Sequence, residues 1–533
     1  MASTIFSAID VGSNEVSMKI YELSKKDGIR ELDHVRHTIE LGADTYRIGK
    51  ISHSLVDELC SILVGFRQKM KEYDVKSYNA YATSAIREAK NYLSILDQIQ
   101  LKSGLKVKIL SNSEQRFLLH KAVAMKENDF NNIIKKGTAI VDVGAGSVQI
   151  SLFDEGHMIT TQNIKLGSLR IRELLSDLEY QTLDYNNLIS EYIDNDLNTF
   201  HELCLQYVPV SHIIGIGENL TEFIRNSFET YFVHHILPNS TNSMDSKTTD
   251  LSFDRIDHND FSLFFHHLET TSIDRISESL GIPREQAALI VPTAMIYYKI
   301  FDITHAQFMW LPGSTLCDGI VADYAENKEK MLLSHPFTKD ILWSARFIAA
   351  KYHSNQDHIN FVETKALYLF DMLKKFHGLS KRERLILQIS CILHSCGSFI
   401  NMNFSSENTY NIIMASEIIG LSHSERVMVA TLTRYSSEYN LAQSENKNPI
   451  SKDSYIKMLK LAAILQLANV LDKSHQQKCD ELKIVFSNKE MFIYAKTQKD
   501  ITLEKGLVEK TAYFFEEIYG IHPVLKTKKE RLI

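Results

Sequence analysis

Two segments of this chain repeat one pattern, and the repeat constrains the fold more than any other feature. Residues 7–14 and 139–147 each form a short apolar run that ends in Asp-Val-Gly and a small polar turn, and alternating apolar residues follow each turn. This pattern predicts a β-hairpin at each place. Because the two copies are about one domain apart, they indicate two related lobes with a cleft between them.

Both turns have the composition of a phosphate-binding loop, although one such turn alone is more typical of an ordinary hairpin. Glycine lets the backbone approach a ligand closely, and successive turn amides form a nest for phosphate oxygens. The turn residues expected to bind phosphate are Gly12, Ser13, Asn14, Gly144, Ala145, Gly146 and Ser147. Asp10 and Asp142 end the two strands, where a carboxylate suits a hydrated Mg²⁺ ion, which binds through one or two carboxylates plus phosphate.

Length and composition exclude several protein classes. A chain of 533 residues with 44% hydrophobic and 23% charged residues is expected to form three or four globular domains. Its net charge of -7 argues against a nucleic-acid binder driven by bulk charge. The six cysteines form no Cys-x-x-Cys pair and no signal-peptide pattern is seen, so we expect a cytoplasmic protein. No membrane span is expected, since Pro292 interrupts the apolar run 287–300.

The order of predicted elements divides the chain into four domains. Residues 1–132 and 133–326 mix strands and helices, residues 327–475 carry mainly helical apolar patterns, and residues 476–533 read as a small α+β unit. The main helices are predicted at 55–73, 112–125, 287–301, 361–376, 381–394, 409–419, 424–435, 455–471 and 504–519. Besides the two hairpins, strands are predicted at 78–83, 107–110, 213–216, 307–311, 483–486, 491–496 and 522–525.

Five ordered motifs make the chain similar to a known family. They are residues 8–14, 82–91, 109–114, 141–147 and 165–170. Together they resemble the exopolyphosphatase / guanosine pentaphosphate phosphohydrolase (Ppx/GppA phosphatase) family. The resemblance implies an α/β protein with two actin-like ATPase-fold (ribonuclease H-like) lobes, followed by an all-α HD-like domain and a small α+β domain.

The resemblance also assigns roles to individual side chains. It implies that Glu114 is the general base for water, although a glutamate in the first turn of a helix also suits the helix dipole. It implies that Arg87 contacts phosphate, with a surface salt bridge as the alternative. Arg170 follows a Gly-Ser turn and is expected either to line the same cleft or to be an ordinary exposed arginine.

Four positions depart from the family pattern. Gln149 stands where the family has a glutamate that helps to organise metal and water, so we treat it as a catalytic position that has lost its charge. Ala145 replaces a glycine and requires a negative φ. Glu218 puts a carboxylate where phosphate would be repelled, and Cys317 replaces an arginine common in the family. These departures favour an impaired enzyme.

The helical region resembles an HD-type domain whose metal site is degenerate. His358 and His394 remain, whereas Ser395 and Asn469 replace the aspartates that would help to hold divalent metal. The expected role of this region is structural, either extending a polyanion groove or forming a dimer interface.

The leading functional expectation is a cytoplasmic, Mg²⁺-dependent exopolyphosphatase that releases terminal phosphate from inorganic polyphosphate. Hydrolysis of guanosine pentaphosphate is the enzymatic alternative. A polyphosphate- or alarmone-binding sensor or scaffold is the non-enzymatic alternative, and an actin-like ATPase or sugar kinase is a weaker one, since fold does not fix function. The resemblance also implies a homodimer, with neither a nucleic acid nor a membrane as partner.

Overall fold

The protein was studied as a computed structural model that describes residues 3–127, 129–205, 208–217, 219–233, 255–331, 335–435 and 452–527. The chain divides into two compact units, Met1–Phe337 and Thr338–Ile533, here called the N-terminal and C-terminal units. The finer division into four domains stays a prediction.

The first hairpin belongs to a five-stranded mixed sheet in the N-terminal unit. Its strands are β1 (Thr4–Val11), β2 (Glu15–Ser24), β3 (Gly28–Thr38), β4 (Ser77–Ala82) and β5 (Val107–Ile109). The order across the sheet is β3-β2-β1-β4-β5. Strands β1, β2 and β3 are antiparallel neighbours, whereas β4 pairs parallel to β1 and β5 parallel to β4. The end of β1 therefore lies beside the end of β4.

The second hairpin belongs to a six-stranded sheet that repeats this arrangement. Its strands are β6 (Thr138–Val143), β7 (Val148–Asp154), β8 (His157–Ile164), β9 (His212–Ile216), β10 (Arg255–Asp257) and β11 (Phe308–Trp310). The order is β10-β11-β9-β6-β7-β8, with β9 parallel to β6 and β11 parallel to β9. Apart from the added edge strand β10, the order and direction of the strands match those of the first sheet. The structure thus carries the repeat seen in the sequence.

Thirteen helices described in the N-terminal unit connect and cover the two sheets. They are α1 (Leu41–Ile48), α2 (His53–Glu72), α3 (Ser84–Glu88), α4 (Tyr92–Ser103), α5 (Asn112–Lys126), α6 (Phe130–Ile133), α7 (Ser168–Leu175), α8 (Tyr185–Cys204), α9 (Asn219–Tyr231), α10 (His258–Glu269), α11 (Ile273–Leu280), α12 (Arg284–Thr304) and α13 (Leu316–Asn327). A 3₁₀ helix, Ser176–Gln181, follows α7. Each sheet has its own apolar core: β1, β2, α2 and α4 supply one, and β6, β7, α8 and α12 the other.

Helix α12 is the one helix in the described part of the chain that is long and apolar enough to span a bilayer. Of its most apolar stretch, 72% is buried inside the protein. Pro292 lies within the helix rather than ending it. The helix predicted at 287–301 is therefore present and runs through Pro292, so this proline does not shorten the apolar helix as expected.

The C-terminal unit joins a group of helices to a three-stranded sheet. The helices are α14 (Phe337–Lys351), α15 (Gln356–Met372), α16 (Lys374–His377), α17 (Lys381–Leu393), α18 (Ser405–Ala415), α19 (His423–Arg434), α20 (Lys452–Val470) and α21 (Thr502–Tyr519), with a 3₁₀ helix at Cys396–Phe399. The strands β12 (Glu481–Ser487), β13 (Glu490–Lys496) and β14 (His522–Thr527) lie in the order β12-β13-β14. The mixed α/β character is confirmed, whereas the likeness of the helical part to an HD-type domain stays a prediction.

Candidate functional site

The turns of both hairpins line one cavity in the N-terminal unit, which we call the hairpin cavity. About 40 Å³ of it is open to the centre of a water molecule, within a space of about 650 Å³ that includes the open solvent at its mouth. Ser13 lines it from the first hairpin, and Gly144, Ala145, Gly146 and Ser147 line it from the second. Asp10 and Asp142 also line it, and both are buried. The predicted clustering of the two Asp-Val-Gly motifs is therefore present in the structure.

The two hairpins close in the same way. Gly12 N–H donates to the carbonyl of Glu15 over 2.9 Å, and Gly144 N–H donates to the carbonyl of Ser147 over 3.0 Å. Asp10 lies opposite Ser17 across its hairpin, and Asp142 lies opposite Gln149 across the other. The pairs Asp10–Ser17 and Asp142–Gln149 therefore occupy equivalent positions, and they differ in the polar group that faces each aspartate.

The hydroxyl of Ser13 is engaged in holding the first turn. Ser13 Oγ lies 2.7 Å from the Tyr46 hydroxyl and 2.8 Å from Ser84 Oγ, and it accepts a 3.1 Å hydrogen bond from Ala85 N–H. Asn14 Oδ1 is buried and has no hydrogen-bond partner among the described residues. Gly12 and Asn14 shape the turn but are not among the described residues that line the hairpin cavity.

The second turn approaches the same tyrosine so closely that only glycine fits. A Cβ atom on Gly146 would lie 2.0 Å from the Tyr46 hydroxyl oxygen and 2.6 Å from Ser84 Oγ. Ala145, in contrast, is not among the residues with positive φ, as its extra methyl group requires. The Tyr46 and Ser84 hydroxyls therefore join the two turns.

Arg170 stabilises the second turn from behind. Its Nε donates to the carbonyl of Gly146 over 2.6 Å, one terminal nitrogen contacts both carboxylate oxygens of Glu88 at 2.8 and 2.9 Å, and its guanidinium lies 4.0 Å from the centre of the Tyr46 ring. The side chain is buried and does not line the hairpin cavity. Neither sequence-based expectation describes it, because it is neither exposed nor open to a ligand.

Arg87 lies at the C-terminal end of α3 and is half-buried. One of its terminal nitrogens donates to the carbonyl of Leu110 over 2.7 Å and approaches Gln115 Oε1 at 3.4 Å. Gln115 lines the hairpin cavity. Arg87 is therefore connected to the cavity through Gln115, and direct phosphate contact by Arg87 stays a prediction.

Glu114 caps its own helix. Its Oε2 accepts hydrogen bonds from Ser111 N–H at 3.0 Å and Ser111 Oγ at 2.8 Å, while Ser111 Oγ accepts from Glu114 N–H at 3.2 Å. This reciprocal arrangement is a capping box. Glu114 is absent from the described lining of the hairpin cavity, whereas the next residue, Gln115, is present. The geometry therefore favours the helix-stabilising alternative for Glu114 over the base implied by the resemblance.

Gln149 is oriented by Arg116, a buried arginine that was not among the predicted site residues. Arg116 Nε donates to Gln149 Oε1 over 3.1 Å, and an arginine terminal nitrogen also contacts Thr161 Oγ1. Because a guanidinium only donates, the amide oxygen must face Arg116 and the amide nitrogen must face away. That nitrogen makes no hydrogen bond to a described residue, and Gln149 lines the hairpin cavity. Gln149 thus offers the cavity an N–H donor.

Two titratable residues that line the cavity were not predicted. Glu15, the first residue of β2, is buried and lies beside the first turn. His34 also lines the hairpin cavity, and its pKa is lowered to about 4 by burial and then by the nearby Lys19 and Arg36. His34 is therefore neutral at pH 7. Glu15 could have been identified from the sequence, because the equivalent position of the repeat, Ser147, carries no charge.

The oxygen donors of the hairpin cavity are of the kind that magnesium prefers. Asp10, Glu15 and Asp142 supply carboxylates, and no lysine or arginine is among the described lining residues. Within the described residues, no group of three or more His, Cys, Asp or Glu side chains is arranged to hold a metal ion by itself. Magnesium in proteins takes one or two carboxylates and completes its shell with water and phosphate, and its binding by Asp10 and Asp142 stays a prediction.

Cys317 and Asp318 are buried behind the residues that line the cavity and are not themselves among the described lining residues. Cys317 Sγ contacts the carbonyl of Ala8 at 3.5 Å and Ser17 Oγ at 3.6 Å, and burial raises the pKa of its thiol. Cys317 thus packs against the sheet as a neutral side chain. The family arginine that it replaces has no counterpart among the described residues lining the cavity. Glu218, predicted to repel phosphate, lies outside the described residues.

The residues of the expected HD-type site meet inside the C-terminal unit. His358 Nδ1 lies 2.9 Å from Asp472 Oδ2, and His358 Nε2 lies 3.1 Å from Asn469 Oδ1 and 3.3 Å from His394 Nε2. Ser395 Oγ is buried with no hydrogen-bond partner in the part of the chain that the structure describes. The side chains form a compact polar cluster, and the structural role expected for it stays a prediction.

Comparisons with known proteins agree along almost the whole chain. A model of the Ppx/GppA phosphatase family matches residues 20–328, and a model of Ppx/GppA phosphatase domain III matches residues 343–512. The chain is 20% identical over 478 residues to a guanosine-5'-triphosphate,3'-diphosphate pyrophosphatase from Photobacterium profundum, covering 89% of this chain and 88% of that protein. It is 26% identical over 171 residues to exopolyphosphatase 1 of Mycobacterium leprae, covering 32% and 49% respectively.

A solved structure supports the fold. An exopolyphosphatase from Cytophaga hutchinsonii matches with a TM-score of 0.50 at 17% identity, covering 60% of this chain and 97% of that one. The two mixed sheets of the N-terminal unit and this structural neighbour fit the predicted actin-like ATPase fold. The motifs, the repeated sheets and the family matches lead to one conclusion: this chain belongs to the Ppx/GppA phosphatase family.

Proposed function

We propose that this protein is a Mg²⁺-dependent phosphoanhydride hydrolase that releases the terminal phosphate of inorganic polyphosphate. One observation carries the proposal: two equivalent glycine turns, each preceded by a buried aspartate, line the same cavity. A terminal phosphate between the turns would accept hydrogen bonds from backbone amides and from the Gln149 amide nitrogen. Family membership supports a hydrolase of phosphoanhydrides.

Asp10 and Asp142 are the residues proposed to hold Mg²⁺. The ion, when bound, supplies positive charge that offsets the negative phosphate oxygens. This matters here because the described lining of the hairpin cavity contains three carboxylates and neither lysine nor arginine. The amides of Ala145 and Gly146 would orient the terminal phosphate, since hydrogen-bond donors held in place stabilise developing charge.

Tyr46 and Arg170 are proposed to position the two turns of the hairpin cavity. Tyr46 contacts Ser13 and Ser84 through its hydroxyl, and its ring packs under the Arg170 guanidinium. Arg170 in turn holds the carbonyl of Gly146. These contacts fix both turns relative to each other, so the distance between their amides is set before a ligand arrives.

Guanosine pentaphosphate is the second proposed substrate. The supporting observation is the relative from Photobacterium profundum, named for that activity, which matches nearly end to end, whereas exopolyphosphatase 1 matches over a third of the chain. A third candidate, a binding protein without turnover, is supported by the neutral amides of Gln115 and Gln149 in the hairpin cavity.

Phosphate release separates the three candidates. Purified protein would be incubated with long-chain polyphosphate or guanosine pentaphosphate, with Mg²⁺ or with excess EDTA, and orthophosphate measured. Mg²⁺-dependent release from polyphosphate is the expected result. Release from guanosine pentaphosphate alone would replace the leading substrate, and binding of either compound without release would replace hydrolysis by a sensor role.

A further inference from the structure

Glu15 is the place where the internal repeat of the N-terminal unit is broken by a charge. The closing hydrogen bonds align Gly12 with Gly144 and Glu15 with Ser147. The repeat therefore provides a comparison within one chain. A hairpin of this shape forms with a serine at that position, so folding of the turn does not require the carboxylate.

The strand register directs the Glu15 side chain to the cavity. Side chains alternate along a strand, so Glu15 and Ser17 of β2 share one face of the sheet. Ser17 lies directly opposite Asp10 on β1, and Asp10 lines the hairpin cavity. Glu15 lines the same cavity and is only 7% exposed. Its carboxylate is thus on the face that carries Asp10 and is largely shielded from bulk solvent.

The remaining polar groups of the cavity are poorly suited to accept a proton from water. Gln115 and Gln149 carry amides, which are not bases at neutral pH. Asp10 and Asp142 are the proposed ligands of Mg²⁺, and a carboxylate bound to a cation is a weaker base. His34, whose pKa is lowered to about 4, is no stronger a base than an ordinary carboxylate, and a proton taken up by its ring would add a positive charge near Lys19 and Arg36.

Resting on the proposed function, we propose that Glu15 is the general base of the reaction. The oxygen of a water molecule bonds to the terminal phosphorus while the bridging P–O bond breaks, and the electron pair of that bond stays with the leaving phosphate chain. The proton of the water moves to the Glu15 carboxylate, which later returns it to solvent. The products are orthophosphate and a chain shorter by one unit.

The test compares Glu15→Gln with Glu22→Gln in the full chain. Glu22 lies on the same strand, on the opposite face, where it pairs with Arg30 at 2.6 Å, so it controls for the chemical change itself. With polyphosphate and Mg²⁺, Glu15→Gln is expected to lower kcat about 100- to 10 000-fold. The dissociation constant for polyphosphate should stay within about threefold, and Glu22→Gln should keep its activity.

A second variant guards against misfolding. Glu15→Ser installs the residue that the equivalent turn already carries, so it is expected to fold and to lose activity as Glu15→Gln does. Full activity in either folded Glu15 variant would overturn this inference and leave the proposed function standing, above all if Glu114→Gln lost activity instead. Absence of release by the unaltered protein, from polyphosphate and guanosine pentaphosphate alike, would overturn both.

Discussion

Replacing Asp318 by asparagine tests whether charge holds the wall of the hairpin cavity in place. The Asp318 side chain is only 2% exposed. Its Oδ1 accepts from Lys19 Nζ at 3.0 Å and from the Tyr21 hydroxyl at 2.8 Å, and its Oδ2 lies 3.0 Å from Lys126 Nζ and accepts from Thr315 N–H at 2.8 Å. One carboxylate therefore joins β2, the C-terminal end of α5 and the start of α13.

The pKa of Asp318 gives the lower end of the expected loss in the free energy of unfolding. Burial opposes ionisation, but Lys126 and Lys19 outweigh it and lower the pKa from 3.8 to about 2. A carboxyl group with that difference stabilises the folded state by about 2–3 kcal/mol at neutral pH. Removing one partner of a buried ion pair costs about 3–5 kcal/mol, since the other charges stay buried. Asp318→Asn should therefore lower the free energy of unfolding by about 2–5 kcal/mol.

The effect should depend on pH in a defined direction. Because the folded-state pKa is lowered, the stabilisation by Asp318 is fully present above pH 3.8 and is lost as the pH falls toward about 2. The difference between the original protein and Asp318→Asn is thus constant near neutral pH and shrinks below pH 4.

Fluorescence provides the assay. The chain has two tryptophans, Trp310 in β11 and Trp343 in α14, so a Trp343→Phe background leaves a single reporter in the N-terminal unit. Urea unfolding would be followed in that background for Asp318→Asn and for Asp323→Asn. Asp323 also lies on α13, but its side chain is 31% exposed. Its partner Lys121 would retain its ion pair with Glu326 when Asp323 is replaced. Asp323→Asn should cost less than about 1 kcal/mol. Equal losses for the two variants, or a difference that grows on acidification, would refute the reasoning.

Two further substitutions probe the turns and the amide of the hairpin cavity. Gly146→Ala would force a Cβ atom to within 2.0 Å of the Tyr46 hydroxyl oxygen. We therefore expect the free energy of unfolding to fall by about 1–3 kcal/mol and polyphosphate binding to weaken. Gly65→Ala, at a position with open space around it, should have neither effect. Gln149→Glu would place a carboxylate against Arg116 Nε, which lies 3.1 Å from the amide oxygen of Gln149. Because the guanidinium offsets part of the added negative charge, calorimetry should show the Mg²⁺ affinity rising by less than about tenfold. A lower Mg²⁺ affinity would contradict the prediction.

The sequence predicted the large features of the N-terminal unit because they follow from local periodicity. Both hairpins and the alignment of Asp10 with Asp142 could be read from the repeat of Asp-Val-Gly. The third strand, β3, was missed because it is an edge strand with no fully buried residue, so its sequence shows little apolar alternation. Strands buried on both faces are the ones that carry a clear signal.

The choice between Glu114 and Gln115 could not be made from the sequence. Neighbouring helix residues point about 100° apart, so the residue that faces the cavity depends on exactly where α5 begins. The capping box fixes that start at Ser111 and turns the Glu114 side chain back onto the helix end. The motif places a glutamate in this region of the chain, but a shift of the helix start by one residue would change which side chain faces the cavity.

The partnership of Arg116 with Gln149 was equally hidden. The two residues are 33 positions apart and meet only because α5 packs beside the second hairpin. Arginine is rarely buried, so no sequence pattern points to a buried guanidinium at position 116. Read alone, Gln149 looks like a carboxylate that has lost its charge. Beside Arg116 it is an oriented N–H donor, which is a different chemical function.

The charge of the hairpin cavity bears on binding as well as on catalysis. A site built only to retain a polyanion gains affinity from lysine and arginine, because these neutralise phosphate directly. The described lining of this cavity has Asp10, Glu15 and Asp142 instead. Carboxylates facing a polyphosphate repel it unless a divalent cation lies between them, so even a protein without turnover would need Mg²⁺ to bind here. Three carboxylates are costly for a sensor and useful for a hydrolase, which needs both cation ligands and a base. The three carboxylates therefore support the proposed hydrolase, and a binding protein without turnover stays the alternative that phosphate release tests.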